Sequence, residues 1–157
     1  MQNIVLIGMP GSGKTTLAQE LAKRLEHRHV DVDEEIVRTA GCDIASIFRI
    51  EGEADFRARE TVELAKWCKE SGLILSTGGG CVTRPENRNL LRQNGVVIWI
   101  RRSLKSLSTD GRPLSQVSSL ETMYEARRPL YEAFSDYAVD NDGTIEQAVD
   151  RILEVLK

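Results

Sequence analysis

Residues 8–15 read Gly8-Met9-Pro10-Gly11-Ser12-Gly13-Lys14-Thr15, which matches the phosphate-binding pattern G-x-x-x-x-G-K-S/T. A short apolar run at 4–7 precedes this stretch and predicts a strand. Leucines then recur every fourth residue at Leu17, Leu21 and Leu25, which predicts an amphipathic helix. Because a P-loop lies between a strand and a helix, the stretch predicts a nucleoside triphosphate site at the start of an α/β fold.

The residue types in this loop explain how it would hold phosphates. Glycines let backbone amides wrap an anion, and the helix that begins near Lys14 adds unpaired N–H groups and its positive dipole end. Lys14 would place a charge by the β- and γ-phosphates, and Thr15 is expected to ligate magnesium. A P-loop leaves kinase, GTPase and mechanical ATPase open, although the GTPase signature Asn-Lys-x-Asp is absent from the sequence.

Length and composition narrow the alternatives. The chain has 157 residues, 41% hydrophobic and 29% charged, so we expect a single domain over 1–157. A net charge of −3 with interspersed signs argues against nucleic acid or an anionic membrane as a partner. No segment approaches the ~20 apolar residues of a membrane span. The three irregularly spaced cysteines favour a reducing cytoplasm, and we expect a cytoplasmic monomer.

Strand and helix patterns alternate along the chain, which favours an α/β fold. Further short apolar runs at 73–75 and 96–100 are typical of parallel strands covered by helices on both faces. The stretch 33–70 is mostly helical, with breaks expected at Gly41 and Gly52. Helical spacing returns near the C-terminus, at Ile145, Val149, Ile152 and Leu156.

A small, polar segment at 108–119 predicts a mobile loop before a helix that starts at Leu120. Arg112 lies within this loop and could close over the nucleotide to neutralise charge on the transferred phosphoryl group. A solvated loop arginine is the alternative. Further on, Arg127 and Arg128 are expected late in a helix, where they would favour the negative dipole end or bind an anion.

Two carboxylates, Asp31 and Asp33, follow the apolar Val30. Alternation at a strand end would point both to one side, and Asp33 could also cap the following helix, which alone would explain it. The functional interpretation places Asp31 toward the metal and phosphates. It lets Asp33 accept a hydrogen bond from a substrate hydroxyl and make that oxygen more nucleophilic. An acceptor beside the γ-phosphate favours a kinase.

Arg57 and Glu60 are three residues apart and share a helix face, so the carboxylate can fix the direction of the guanidinium. A surface ion pair is the alternative interpretation.

Further along the chain, Gly78-Gly79-Gly80 directly follows a predicted strand, and α/β folds bind ligands at the carboxyl ends of their strands. A backbone without side chains lets a ligand approach its amides, so we expect the acceptor substrate there, with a flexible hinge as the alternative.

No aspartate ends the strand before these glycines. That leaves Ser76 or Thr77 to hold a metal-bound water. It also makes Asp31 the expected acidic partner of the metal.

The motifs follow one another along the chain as the P-loop, Asp31-x-Asp33, Phe56-Arg57 with Glu60, Gly78-Gly79-Gly80, Arg112-Pro113-Leu114 and Arg127-x-Pro129-Leu130-Tyr131. In this order they resemble the shikimate kinase family, and the resemblance covers essentially the whole chain. The resemblance implies transfer of the γ-phosphate of ATP, with Mg2+, to the 3-hydroxyl of shikimate in aromatic amino-acid biosynthesis. It also implies a three-layer fold like that of nucleoside monophosphate kinases. In that fold a central parallel five-stranded sheet carries helices on both faces, a helical substrate-binding region at about 32–60 and a lid at about 106–119.

The resemblance also assigns roles to individual residues. The implied catalytic residues are Lys14, Asp33 and Arg112, and the implied metal residues are Thr15 and Asp31. The nucleotide would contact Gly11, Ser12, Gly13, Lys14, Thr15, Thr16 and Arg112. Shikimate would contact Asp33, Arg57, Gly78, Gly79, Gly80 and Arg127, with Phe48 and Phe56 beside its ring.

The chain departs from the family pattern in one region. The segment between Ile100 and Arg112 is short, and Ser106-Leu107-Ser108-Thr109 stands where the family commonly carries an arginine against the adenine. We therefore expect weaker nucleotide affinity or base selectivity. Two other functions stay open at this point: a kinase for another polyol acid such as gluconate, and a family member without catalysis that acts as a binding module.

Overall fold

Five strands form one sheet in the computed structural model, which describes residues 1–108 and 114–157. The strands are β1 (Asn3–Ile7), β2 (Arg28–Asp31), β3 (Leu73–Ser76), β4 (Gly95–Arg101) and β5 (Tyr137–Asp140). Their order across the sheet is β2-β3-β1-β4-β5, and every neighbouring pair is parallel. The predicted five-stranded parallel sheet is confirmed.

The strands are connected through helices. Helix α1 (Lys14–Leu25) joins β1 to β2, and the helices between β2 and β3 are α2 (Val32–Ala40), α3 (Ile44–Glu51) and α4 (Glu53–Trp67). A 3-10 turn (Cys81–Thr83) and α5 (Glu86–Arg92) follow β3. The remaining helices are α6 (Leu104–Ser108), α7 (Leu114–Phe134) and α8 (Ile145–Val155). Among the described residues, none of the helices has both the length and the apolar character needed to span a bilayer.

The sheet separates two apolar clusters, because successive side chains of a strand point to opposite faces. On one face, Ile4 and Leu6 of β1 pack with buried residues of α1 and α8. On the other, Val5 and Ile7 pack with buried residues of α2, α4, α5 and α7. Burial on both faces explains why β1 reads as a continuous apolar run.

Parallel strands end at the same edge of the sheet, so the segments that follow them become neighbours. The P-loop follows β1, Asp31 ends β2, and the triple glycine comes after β3. Arg102 follows β4 and Asn141 follows β5. Because β1 lies in the middle of the sheet, the P-loop occupies the centre of this edge and the other segments surround it.

The helical stretch at 33–70 is confirmed, including both of its breaks. Gly41 ends α2 with a φ of 75°, and Gly52 ends α3 with a φ of 87°. Glycine adopts such positive φ values without the steric penalty that a Cβ brings. The two glycines therefore divide the stretch into three short helices beside the sheet.

The expectation that Asp33 caps the helix after β2 is wrong. Helix α2 begins at Val32, and its cap is Asp31, whose carboxylate accepts a hydrogen bond from the Glu34 amide at 3.2 Å. Since β2 ends at Asp31, strand alternation does not extend to Asp33, which lies in the first turn of the helix.

The expected start of α7 at Leu120 is also wrong, because the helix begins at Leu114. The serines and the glutamine that suggested a loop cost a helix only tenths of a kcal/mol each, roughly, and neither glycine nor proline occurs between 114 and 128. The helix also continues past Pro129 to Phe134, so Arg127 and Arg128 lie in its interior rather than at its end. Residues 109–113, with Arg112 and much of the predicted mobile loop, lie outside the described residues.

Candidate active site

Two side chains that follow β4 and β5 hold the P-loop in shape. Asn141 donates from Nδ2 to the Ser12 carbonyl at 2.8 Å, and Arg102 donates from Nη1 to the Gly11 carbonyl at 2.9 Å. Gly13 has a φ of 93°, and a Cβ there would lie 2.6 Å from Asn141 Nδ2. The loop therefore depends on residues after β4 and β5, which sequence reasoning missed because nothing local links them to the motif.

Lys14 is buried beneath this loop. Its Nζ donates to the Gly8 carbonyl at 2.7 Å and to the Met9 carbonyl at 2.9 Å. The pKa of Lys14 is lowered to about 8, mainly because burial penalises the charge, and the nearby aspartates Asp33 and Asp31 only partly offset this effect. An anion above the loop would restore the preference for the charged amine.

Thr15 and Asp31 meet at the start of α1. Thr15 Oγ1 donates to Asp31 Oδ2 at 3.1 Å, which places a hydroxyl and a carboxylate side by side. These oxygen donors suit Mg2+, which takes one or two protein groups and completes its shell with phosphate oxygens and water. The donor set at this position fits a magnesium ion.

The structure distinguishes Ser76 from Thr77, the two residues at the end of β3 that could hold a metal-bound water. Ser76 is buried, and its Oγ lies 2.9 Å from His29 Nε2. Thr77 borders the cavity beside the P-loop, and its Oγ1 donates to the Leu6 carbonyl at 2.9 Å. Of the two residues, Thr77 lines the cavity.

A second cavity, of about 410 Å³, lies between the triple glycine and the helices that follow β2. It brings together all the predicted shikimate contacts. Its lining residues are Pro10, Asp33, Ile44, Phe48, Glu53, Phe56, Arg57, Glu60, Gly78, Gly79, Gly80, Met123 and Arg127. We call it the acceptor cavity.

The ion pair of Arg57 and Glu60 is buried in the wall of the acceptor cavity. Arg57 Nη1 lies 3.0 Å from Glu60 Oε1, and the two side chains are 12% and 0% exposed. The interpretation as a surface ion pair is therefore wrong. Burial raises the pKa of Glu60 to about 7, although the neighbouring Arg57 charge opposes that rise.

The three glycines allow close packing that no side chain would permit. A Cβ on Gly78 would lie 2.8 Å from Asp33 Oδ1, and one on Gly79 would lie 2.7 Å from Pro10 Cδ. A Cβ on Gly80 would overlap the Arg57 guanidinium. Because these side chains pack directly against the glycine backbone and leave it little room to move, the contacts argue against a flexible hinge.

Several charged atoms of the acceptor cavity are buried without a hydrogen-bond partner in the described part of the chain: Asp33 Oδ1, Arg57 Nε and Glu60 Oε2. Buried polar atoms are nearly always paired, so a polar ligand is the natural partner. Burial raises the pKa of Asp33, and the Asp31 charge adds to the rise, while Lys14 and Arg57 oppose it. The cavity thus offers both acid and base groups to a small polar molecule.

The cavity beside the P-loop has a volume of about 380 Å³, and we call it the phosphate cavity. It shares four lining residues with the acceptor cavity: Pro10, Asp33, Gly78 and Gly79. On its other side lies a cavity of about 220 Å³ that includes Gly13, Thr16, Arg102 and Asn141, and we call it the outer cavity. The three cavities form a row along the edge of the sheet, with Asp33 at the first junction.

The family model described as shikimate kinase matches residues 10–157. The chain belongs to the shikimate kinase family. It is 41% identical to the shikimate kinase of Thioalkalivibrio sulfidiphilus, over 96% of this chain and 84% of that protein. It is also 41% identical to the shikimate kinase of Neisseria gonorrhoeae, over 98% of this chain and 95% of the relative.

Solved structures of shikimate kinases show the same fold. The enzyme from Acinetobacter baumannii, in complex with shikimate, superposes with a TM-score of 0.94 and is 34% identical, with coverage of 99% of this chain and 93% of that one. The enzyme from Aquifex aeolicus has a TM-score of 0.88 and 32% identity, with coverage of 98% and 95%. The resemblance inferred from the motifs and the predicted fold are both confirmed.

One buried residue beside the glycine loop received no role from the sequence. Tyr131 stands in the motif that ends the family pattern, yet its contact with the glycine loop crosses 52 residues of sequence. Its hydroxyl donates to the Gly79 carbonyl at 2.6 Å. Helical spacing indicates only that Tyr131 and Arg127 share a face of α7.

Proposed function

We propose that this chain transfers the γ-phosphoryl group of ATP to the 3-hydroxyl of shikimate, giving shikimate 3-phosphate and ADP. The observation that carries the proposal is the wall shared by the acceptor and phosphate cavities, which includes Asp33. A group held in one cavity thereby meets a phosphate held in the other. The family membership of the chain supports this reaction, and the comparisons give no support to a gluconate kinase or a binding module.

The charges of the acceptor cavity suit a small hydroxylated acid. Arg57 and Arg127 both line it, and we propose that they bind the carboxylate of shikimate. The buried Glu60 supports this role, because it holds Arg57 through Nη1, while Nε has no hydrogen bond to any described residue and lies 3.6 Å from the exposed Glu53 carboxylate. The amides of Gly78, Gly79 and Gly80 and the rings of Phe48 and Phe56 would complete the contacts.

Asp33 is the residue we propose for the proton of the acceptor hydroxyl. In the transfer, the bond between the γ-phosphorus and the bridging oxygen of ADP breaks and a bond to the 3-oxygen forms, while the hydroxyl proton passes to Asp33. The raised pKa of Asp33 makes its carboxylate a stronger base than an exposed aspartate. Its unpartnered Oδ1 is available for that hydrogen bond.

The P-loop is the site we propose for the triphosphate. Gly11, Gly13, Lys14, Thr15 and Thr16 line the phosphate cavity. The backbone amides of this loop, including that of Ser12, and the N-terminus of α1 would surround the phosphates, with Lys14 as the buried cation. The outer cavity extends from Gly13 and Thr16 and would hold the nucleoside.

We propose Thr15 and Asp31 as the residues that hold magnesium. Their contact at 3.1 Å supplies two oxygen donors at the edge of the phosphate cavity. Magnesium would neutralise phosphate charge during transfer. Arg112 is the further cation we propose for that charge, on the strength of its motif alone, since it lies outside the described residues.

We also propose a cytoplasmic monomer with one domain over 1–157, a substrate-binding region at about 32–60 and a lid at about 106–119. The first region supports this division, because it supplies Asp33, Phe48, Phe56 and Arg57 to the acceptor cavity. Sedimentation should give a particle of 17.6 kDa. A particle of twice that mass would contradict the monomer.

The function is tested by a coupled assay of ADP release with shikimate, with gluconate and with no acceptor. The proposal predicts turnover that depends on shikimate. Equal or greater turnover with gluconate would favour the other acceptor, and ATP binding without turnover on either acid would favour a binding module. A matched reaction without magnesium should be slow with every acceptor.

A further inference from the structure

Tyr131 is fully buried, although its hydroxyl needs a hydrogen-bond partner. Its ring stacks on Trp99 of β4, with centroids 5.7 Å apart, and its hydroxyl reaches the glycine loop. There it donates to the Gly79 carbonyl at 2.6 Å. The rigid core of the sheet is therefore connected to the backbone of the acceptor cavity by one side chain.

The direction of the Gly79 carbonyl determines the direction of the next amide. In a planar trans peptide, the carbonyl of one residue and the N–H of the following residue point in opposite directions. Since the Gly79 carbonyl points to Tyr131, the Gly80 N–H points away from it. That N–H has no backbone partner in the described parts of the chain, and Gly80 lines the acceptor cavity.

Tyr131 also lies near the second cation of the cavity. Arg127 precedes it by one helical turn, so the two residues share a face of α7. Burial raises the pKa of Tyr131, and the Arg127 charge offsets only part of the rise, so the hydroxyl stays protonated and remains a donor. The hydroxyl thus donates to the glycine loop on the side of the helix that carries Arg127.

We propose that Tyr131 is a positioning residue for the acceptor acid. Its hydroxyl fixes the Gly79–Gly80 peptide on the side of Arg127, so that the Gly80 N–H and the guanidinium face the same carboxylate. Tyr131 does not touch the substrate in this arrangement. The inference rests on the proposed function, because it assigns the carboxylate to the acid that the acceptor cavity binds.

A role in packing alone is the competing explanation, and the two differ in what the hydroxyl contributes. Tyr131→Phe keeps the ring stacked on Trp99 and removes only the hydroxyl with its hydrogen bond to Gly79. If Tyr131 merely fills the core, this variant loses stability but binds the acceptor as before. If it positions the cavity, acceptor binding weakens while nucleotide binding does not.

The test compares Tyr131→Phe with wild type by calorimetry and steady-state kinetics. We expect the Kd and the KM for shikimate to rise about three- to tenfold, as for the loss of one hydrogen bond, while the Kd for ADP stays within about twofold. Tyr137→Phe makes the same chemical change at an exposed tyrosine and serves as the control, with unchanged constants. An unchanged shikimate Kd in Tyr131→Phe would overturn the inference.

A measurement on wild type covers the case in which the variant does not fold. In a 15N-labelled sample, saturating shikimate should move the Gly80 amide proton downfield, as expected for a new hydrogen bond to a carboxylate. A Gly80 signal that stays in place while shikimate binds would overturn the inference and leave the proposed function intact. If wild type does not bind shikimate at all, the proposed function fails, and the inference fails with it.

Discussion

The pKa of Lys14 predicts that nucleotide binding takes up protons in mildly alkaline solution. The amine is buried below the P-loop, and its pKa is lowered to about 8. Before a nucleotide binds, the nearby aspartates compensate only part of the burial of the charge. The phosphates supply that anion, so the charged amine is favoured in the complex and the pKa rises on binding.

The size of the uptake follows from the two states. At pH 8 the free protein carries the proton on about half of its Lys14 side chains, so full protonation in the complex requires about 0.5 protons for each nucleotide bound. The uptake should fall to about 0.1 at pH 7 and grow to about 0.9 at pH 9. By the same sign rule, the stability of the ligand-free protein should rise between about pH 8 and pH 10.5, where the unfolded chain still binds this proton.

The assay is titration calorimetry with an ATP analogue that is not hydrolysed, at pH 8, in two buffers with different ionisation enthalpies. The difference between the observed enthalpies gives the number of protons. At this pH the Glu60 carboxyl, with a pKa of about 7, is already mostly ionised. Lys14→Arg is the control, because a guanidinium stays charged and should take up none. An uptake near zero in wild type at pH 8 would show that Lys14 has the same charge before and after the nucleotide binds.

Three further predictions concern single side chains of the site. Asp33→Asn should lower kcat by about 10²- to 10⁴-fold without changing ADP affinity in calorimetry, and normal turnover would contradict its role with the proton. Arg127→Ala should raise the KM for shikimate about 10- to 100-fold, as for a lost charged hydrogen bond, whereas Arg128→Ala, which removes an ion pair between partly exposed side chains, should leave it unchanged. Equal effects of the two substitutions would refute the contact with the acid. Arg102→Ala should raise the KM for ATP about 5- to 10-fold, because Arg102 holds the P-loop and borders the outer cavity. Arg101→Ala, which removes a surface ion pair, is the control. If both variants have the same KM for ATP, Arg102 does not support nucleotide binding.

The parts of the fold that the sequence predicts are those with local patterns. The strand at 4–7, the P-loop and the start of α1 are contiguous, and burial on both faces gives β1 its apolar run. Strand β5 has no such run, because it is an edge strand of four residues with mostly exposed side chains. Strand β2 is also an edge strand, and within it only Val30 is fully buried.

The contacts of the site also fall into two groups: local contacts, which the sequence predicts, and contacts between distant parts of the chain, which it does not. The contact between Arg57 and Glu60 is predictable because three residues of helix separate them. The bond from Asn141 to the Ser12 carbonyl crosses 129 residues and that from Tyr131 crosses 52, so no periodicity reveals them. Burial is the other missing quantity, since it alone turns the ion pair of Arg57 into a fixed element of the wall and lowers the pKa of Lys14.

Transfer of the phosphoryl group across the junction at Asp33 to one hydroxyl of shikimate can be followed by 31P NMR of the product formed from ATP and shikimate. The coupling of phosphorus to the ring protons identifies the esterified carbon. We expect a single phosphate ester at the 3-oxygen, in amounts equal to the ADP formed. Release of inorganic phosphate without an ester, or an ester at another oxygen, would show that the proposed transfer is wrong.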